Sequence, residues 1–221
     1  MTTSNNRSAV TVDPSSFLGE FLAIGVPSEE TIREGRKGSV ELAPVTVGPR
    51  CIIKNFVTLS EGTSLDADVV VEDHCRLGAN VRIGSRTRLI YGAYICDAVT
   101  IGTDCRVAGF ICDDVVIENS CTVMGELVHA YNQPHRGWWD VDEPAPSVRH
   151  DSIVAFSSTV IGAVTIGPYS YVAGGTLVTR DVPSWHVAVG HNRFVPWRDW
   201  RGPALQGLFS YWASLDGSLA T

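Results

Sequence analysis

"VVVEDHCRLGANVRIGSRTRLIYGAYICDAVTIG", residues 69–102, returns to an aliphatic side chain every six positions: Val71, Leu77, Ile83, Leu89, Ile95 and Ile101. Working outward, Val47, Ile53, Leu59 and Leu65 precede these and Val107 follows, eleven in succession. The rhythm returns at Ile117 and Val123, and again at Val154, Val160, Ile166, Val172 and Val178. Neither the helical period of about 3.6 nor the strand period of 2 produces this pattern. A short fixed repeat marks a solenoid, and a period of six is that of a hexapeptide β-helix.

The positions four further on support this reading. After the first eleven they are Cys51, Val57, Thr63, Val69, Cys75, Val81, Thr87, Ala93, Val99, Cys105 and Ile111, mostly small or β-branched. Such residues suit a narrow interior beside a short strand. Glycine often follows the aliphatic residue, as at Gly48, Gly78, Gly84, Gly102 and Gly167, where a corner needs backbone freedom. Each hexad is one strand and one corner. Three close a triangular coil, so the eighteen hexads predict about six coils. The fold class is an all-β solenoid, with parallel strands and the aliphatic column inside.

Two breaks interrupt the rhythm. Val107 to Ile117 is a step of ten, which predicts that "GFICDD" bulges from a coil. The larger break, a loop over 129–149, falls within "ELVHAYNQPHRGWWDVDEPAPSVRH", residues 126–150. Insertions in a solenoid project from one edge and often build the binding face, and loops this long are usually functional or disordered. The pattern divides the chain into an N-terminal polar tail with short capping helices (1–44), the β-helix (45–196) and a helical extension (197–221). The helices are expected in "SSFLGEFLAIG" and "PSEETIREG", with Ser16 and Ser28 as N-caps, and in "PALQGLFSYWASL".

Composition bounds the function. The chain has 221 residues, 44% hydrophobic and 19% charged, enough for a sizeable core. A net charge of −7 argues against a nucleic-acid partner. No apolar run approaches the ~18 residues that span a bilayer, and "MTTSNNRSAVTVDPSS" lacks a signal core, so a cytoplasmic protein without a membrane partner is expected. Six cysteines contain no CxxC pair. Cys51, Cys75, Cys105 and Cys121 fall on the small interior position and read as compact apolar residues. Cys96 and Cys112 stand at a corner and beside the first break, where a reactive thiol is the competing reading. His74 reads as a solvated corner residue.

"VIGAVTIGPYSYVAGGTLVTRDVPSWHVAVG", residues 160–190, resembles the last coils of the hexapeptide-repeat acyltransferases. "PWRDWRGPAL" and "DVVIENSCTVMGELVHAYN" are similar to segments of the nucleotide-sugar N-acyltransferases within that group. The resemblance covers roughly residues 45–202. It implies a left-handed coil, a homotrimer with sites between subunits, and acetyl-CoA or another acyl-CoA as co-substrate with no metal required. Two motifs depart from the pattern. The G-N-P-A turn reads Gly190-His191-Asn192-Arg193, and the F-T-N-D stretch reads His129-Ala130-Tyr131-Asn132, without its carboxylate. The catalytic histidine of the xenobiotic and galactoside branches falls within about one residue of His135.

Acyl transfer from a thioester needs a held donor, a proton acceptor and a stabilised oxyanion. For the donor, Gly162, Ala163, Ala173, Gly174 and Gly175 offer unhindered backbone amides, Gly162 or Ala163 in the oxyanion role. Arg180 and Arg193 are candidates for coenzyme A phosphates. For the base, His135 leads and His129 follows, with Asp140, Asp142 or Glu143 as orienting groups. Tyr131, Asn132, Trp138 and Trp139 are candidates for the acceptor pocket. The acceptor is expected to be an amine or hydroxyl of a sugar, nucleotide sugar or small metabolite. Two other readings remain open: a γ-carbonic-anhydrase-like metal hydratase using His129, His135 and His150, and a non-catalytic scaffold or binding protein.

Overall fold

The computed structural model describes residues 7–35, 41–132 and 143–217. Three sheets of eight, ten and eight strands, parallel except for the last, antiparallel pair of the ten-stranded one, form the faces of a left-handed triangular prism. Each coil passes from the first face to the second to the third. Val45–Val47, Ile52–Ile53 and Thr58–Ser60 begin one such circuit. The corners therefore stack into three edges: first to second face, second to third, and third back to first.

The hexad residues point inward and form one continuous column. Ile53, Leu59, Leu77, Leu89 and Ile95 are fully buried, and the column runs through Val172 and Val178. Burying each such side chain contributes about 1.5–3 kcal/mol before entropy is counted, which is why a two-residue strand can persist at all. The small corner residues have a second duty. Cys51, Cys105 and Cys121 direct their thiols at the carbonyls of Asp66, Glu118 and Arg149, each in the next coil. Thr87, Ser152 and Ser170 do the same to Gly102, Gly167 and Pro183. A corner carbonyl inside the prism is thus paired by a compact donor.

The step between Val107 and Ile117 is not a bulge. Phe110–Ile111 is a regular strand, with Ile111 paired to Ile95 and Leu127. The second edge is shortened there by two residues, at Ala108-Gly109 and again at Met124-Gly125. Gly109 has φ +78°, and a Cβ on it would lie 2.4 Å from the Gly125 carbonyl, so the tight corner requires glycine. A shortened corner moves the inward position back by two, and the six-residue count then misreads it as four extra residues.

The N-terminus differs from expectation in the same way. The predicted helix over "SSFLGEFLAIG" is absent. Phe17–Leu18 and Ala23–Val26 are strands that, with Val10–Val12, build a further coil beneath the first hexads. Val12, Leu18 and Ile24 are themselves six apart. Ser16 caps no helix; its hydroxyl donates to the Gly48 carbonyl and accepts from the Cys51 N–H. With these strands the first and third faces reach eight coils, above the number counted from the hexads. The second expected helix is present as Glu29–Gly35, and the Ser28 hydroxyl accepts the Thr31 N–H as its cap.

At the other end, Gln206–Asp216 forms the expected C-terminal helix. It seats Phe209 and Trp212 against Val187, Tyr171 and Trp185 on the upper second face. His74 stands on the second edge, its ring stacked on Phe56 at 4.9 Å in a ladder that also includes Phe21 and Tyr91.

Candidate active site

The third edge carries the unusual chemistry. In successive coils one corner position is held by Ala79, Asp97, Asp113, His129, Gly162 and Arg180. The parallel register of the third face stacks them directly. The Asp97 carboxylate accepts the Ala79 N–H at 2.8 Å, and the Asp113 carboxylate accepts the Asp97 N–H at 2.8 Å. Asp113 Oδ2 then lies 4.0 Å from His129 Nε2. That is too long for a direct hydrogen bond and close enough for Coulomb attraction.

His129 is 8% exposed, and its Nδ1 is fully buried with no partner among the described residues. An unpaired buried nitrogen costs about 1–3 kcal/mol. Tyr131 meets the imidazole edge-on at 5.9 Å, and its own backbone N–H donates to the Glu143 carboxylate at 2.7 Å. Glu143 thus joins the two ends of the inserted loop instead of the imidazole. Tyr131 is 61% exposed and Asn132 follows it at the surface. His135, Trp138, Trp139, Asp140 and Asp142 lie outside the described residues.

Below His129, a cavity of about 280 Å³ runs down the outer third face. Thr58, Arg76, Tyr94, Cys96, Asp97 and Asp113 line its floor, and Pro27 to Glu29 overhang it. The Arg76 guanidinium lies over the Tyr94 ring, 4.8 Å from its centroid. Gly78 makes room for the Asp97 carboxylate, since a Cβ there would stand 2.1 Å from Oδ1. Burial raises the Asp97 carboxyl above its usual range, and the neighbouring Asp113 charge adds to the rise.

The expected donor residues divide between two edges. Gly162, Ala163 and Arg180 share the third edge with His129. Gly162 donates its N–H to the Val128 carbonyl at 2.9 Å, whereas the Ala163 N–H donates to no described group. Arg180 is held by the Asn192 carbonyl at 2.9 Å. Asn192, in the altered G-N-P-A turn, also pairs with Thr179 through both its amide atoms. Ala173, Gly174 and Gly175 stand on the second edge, across the width of the third face, and Gly175 donates to the Phe156 carbonyl. Arg193 is exposed at the start of strand Arg193–Pro196.

Two competing readings of reactive groups find no support. Burial pushes the Cys96 and Cys112 thiols up to about 12, with the Asp113 charge second, so neither is a ready thiolate. His150 is on the first edge, bound to Asp151 and packed against Tyr169, and so faces away from His129. No group of three metal-ligating side chains gathers among the described residues, and no described helix is long and apolar enough to cross a membrane. Asp97 and Asp113 escaped the sequence reading. Their only signal was acid at one corner position in consecutive coils, legible once the shortened second edge is recognised.

No family model matches the chain. It is 25% identical over 206 residues to the bifunctional protein GlmU of Alkalilimnicola ehrlichii, covering 89% of this chain and 44% of that one. It is 31% identical over 163 residues to the bifunctional protein GlmU of Burkholderia vietnamiensis, covering 71% and 36%. The chain thus spans less than half the length of these curated relatives. Among solved structures, the UDP-N-acetylglucosamine acyltransferase of Francisella novicida aligns with a TM-score of 0.42 at 15% identity, covering 85% of this chain and 66% of that one. With its six-residue repeat, its three-sheet prism and these sequence relatives, the chain belongs to the hexapeptide-repeat, left-handed β-helix acyltransferase family.

Proposed function

We propose that the protein is a cytoplasmic acyltransferase that moves an acyl group, acetyl in the first instance, from coenzyme A to an amine or hydroxyl of a sugar, nucleotide sugar or small metabolite. The single observation that carries the reading is His129. It is a buried imidazole with its Nε2 beside the Asp113 carboxylate, which itself lines the cavity, and it stands one coil below the Ala163 N–H, which has no partner among the described residues. His135 remains a candidate base on sequence grounds.

The residues divide the work as follows. His129 Nε2 takes the proton of the attacking N–H or O–H, a contribution of about 10²–10⁴-fold. The Asp113 charge stabilises the imidazolium that results. As the new bond to the carbonyl carbon forms, the carbonyl oxygen gains negative charge, and the Ala163 N–H on the same edge is the candidate donor for it. The C–S bond then breaks and the thiolate recovers the proton from His129. Arg180 and Arg193 serve the coenzyme's phosphates, and Tyr131, Asn132, Trp138 and Trp139 the acceptor. In a homotrimer, a neighbouring prism would cover the third face and its cavity.

The test is release of free thiol from acetyl-CoA across an acceptor panel, with wild type, His129→Ala and His135→Ala. A loss of about 10²-fold or more in His129→Ala supports the assignment. Losses under tenfold in both variants remove the claim of a protein base. Absence of turnover and of acyl-CoA binding removes the enzyme reading in favour of a scaffold.

A further inference from the structure

We infer that the cavity on the third face selects a small zwitterionic amine, with its ammonium held by Asp97 and Asp113 and its carboxylate or phosphate by Arg76. This rests on the acyltransferase reading and narrows its acceptor to one chemical class.

Three observations converge on it. The first is size. A volume of about 280 Å³ is at the lower end of small-molecule sites, near 300–1,000 Å³, so the cavity suits a compact metabolite rather than a whole nucleotide sugar. The second is charge. Arg76 and the two carboxylates open into the same cavity. Asp97 forms no ion pair with any described residue and feels Arg76 only as a charge at longer range, while the Arg76 guanidinium stacks over the Tyr94 ring. A partly buried carboxylate with a second acid beside it and no cation in direct contact is costly, and an incoming ammonium would relieve that cost. The third is position. Asp113 both lines the cavity and neighbours His129, so a nitrogen held by the acids lies within reach of the base. Gly78 supports the arrangement by leaving the space that the Asp97 carboxylate occupies.

The reaction balances as follows. The bound ammonium releases one proton to solvent and becomes a nucleophilic amine. Its nitrogen bonds to the thioester carbon, the second N–H proton passes to His129, and the C–S bond breaks. The thiolate takes that proton, leaving an amide and free thiol. The pair of acids discriminates against hydroxyl acceptors, which bring no positive charge.

Calorimetry without coenzyme A tests recognition directly. The probes are β-alanine and 2-aminoethyl phosphate, with ethanolamine lacking the anion and 2-hydroxyethyl phosphate lacking the ammonium. The zwitterions are expected to bind at least tenfold more tightly than either single-charge analogue. Asp97→Asn should weaken the amines about tenfold and spare 2-hydroxyethyl phosphate, whereas Arg76→Gln should do the reverse with ethanolamine spared. Both variants are checked for folding by circular dichroism. Equal binding of all four probes, no binding of the zwitterions, or affinity unmoved by Asp97→Asn overturns the inference. Turnover with acetyl-CoA separates the two levels. Asp97-dependent binding of zwitterions without thiol release sinks the acyl-transfer reading and keeps the recognition. Thiol release with hydroxyl acceptors at an unchanged KM in Asp97→Asn does the opposite.

Discussion

The first and third edges of the prism share one backbone design and treat charge in opposite ways. On the first edge, Arg50 pairs with Asp68 and Arg86 with Asp104, each through two hydrogen bonds of 2.5–2.7 Å to the coil above. These exposed pairs hold the Asp68 and Asp104 carboxyls below their usual range through the arginine hydrogen bonds. On the third edge the corresponding ladder is acid upon acid, then a buried imidazole with one nitrogen that has no partner among the described residues. A stack of corners places like positions one coil apart, so neighbouring charges must interact. Where they are complementary the edge is scaffolding. Where they are not, stability is given up for a group that has yet to arrive.

The largest expected effect breaks this contrast outright. His129→Ala should lower kcat about 10²–10⁴-fold, while Arg86→Gln on the first edge leaves turnover at the wild-type level; the coupled thiol assay measures both. Next, Asp113→Asn should lower kcat about five- to tenfold, the worth of roughly 1 kcal/mol between screened charges 4 Å apart. An unchanged kcat would reduce Asp113 to a structural corner residue.

The stability counterpart is smaller and of opposite sign on the two edges. Asp97 has a raised carboxyl, so its ionised form disfavours the folded state at neutral pH. Asp97→Asn should therefore raise Tm at pH 7. That gain disappears as the pH falls below the unfolded value near 3.8, where the wild-type group is already protonated. Asp104 has a lowered carboxyl, so its contribution is present above its unfolded value near 3.8 and is lost as pH falls through the lower folded value. Asp104→Asn should lower Tm slightly at pH 7, with the difference fading in high salt. Differential scanning calorimetry from pH 3 to 8 would record both, and a matching sign at the two edges would refute the contrast. Smallest of all, Cys96 and Cys112 should resist alkylation at pH 8 while the protein is folded and react once it is denatured.

The hexads of residues 47–107 made the prism legible because every inward residue is aliphatic and every step is six. The same method faltered where the step changed. The shortened corner at Gly109 was misread as an insertion, and the first coil was read as a helix because only Val12, Leu18 and Ile24 carry its rhythm. His129 entered as the second candidate base, after His135, from its place near the loop. Asp97 and Asp113 were missed, since acidic corner residues are ordinarily solvated.

By itself the sequence determined the three-sided coil and its aliphatic interior. Those follow from a local period that each coil enforces on the next. Only the tertiary structure decided which corner residues stack, because two successive steps up the third face here are sixteen residues long and the step below them is eighteen. The column of Asp97, Asp113 and His129 exists only in that register, and Coulomb interactions depend on distance in space rather than along the chain.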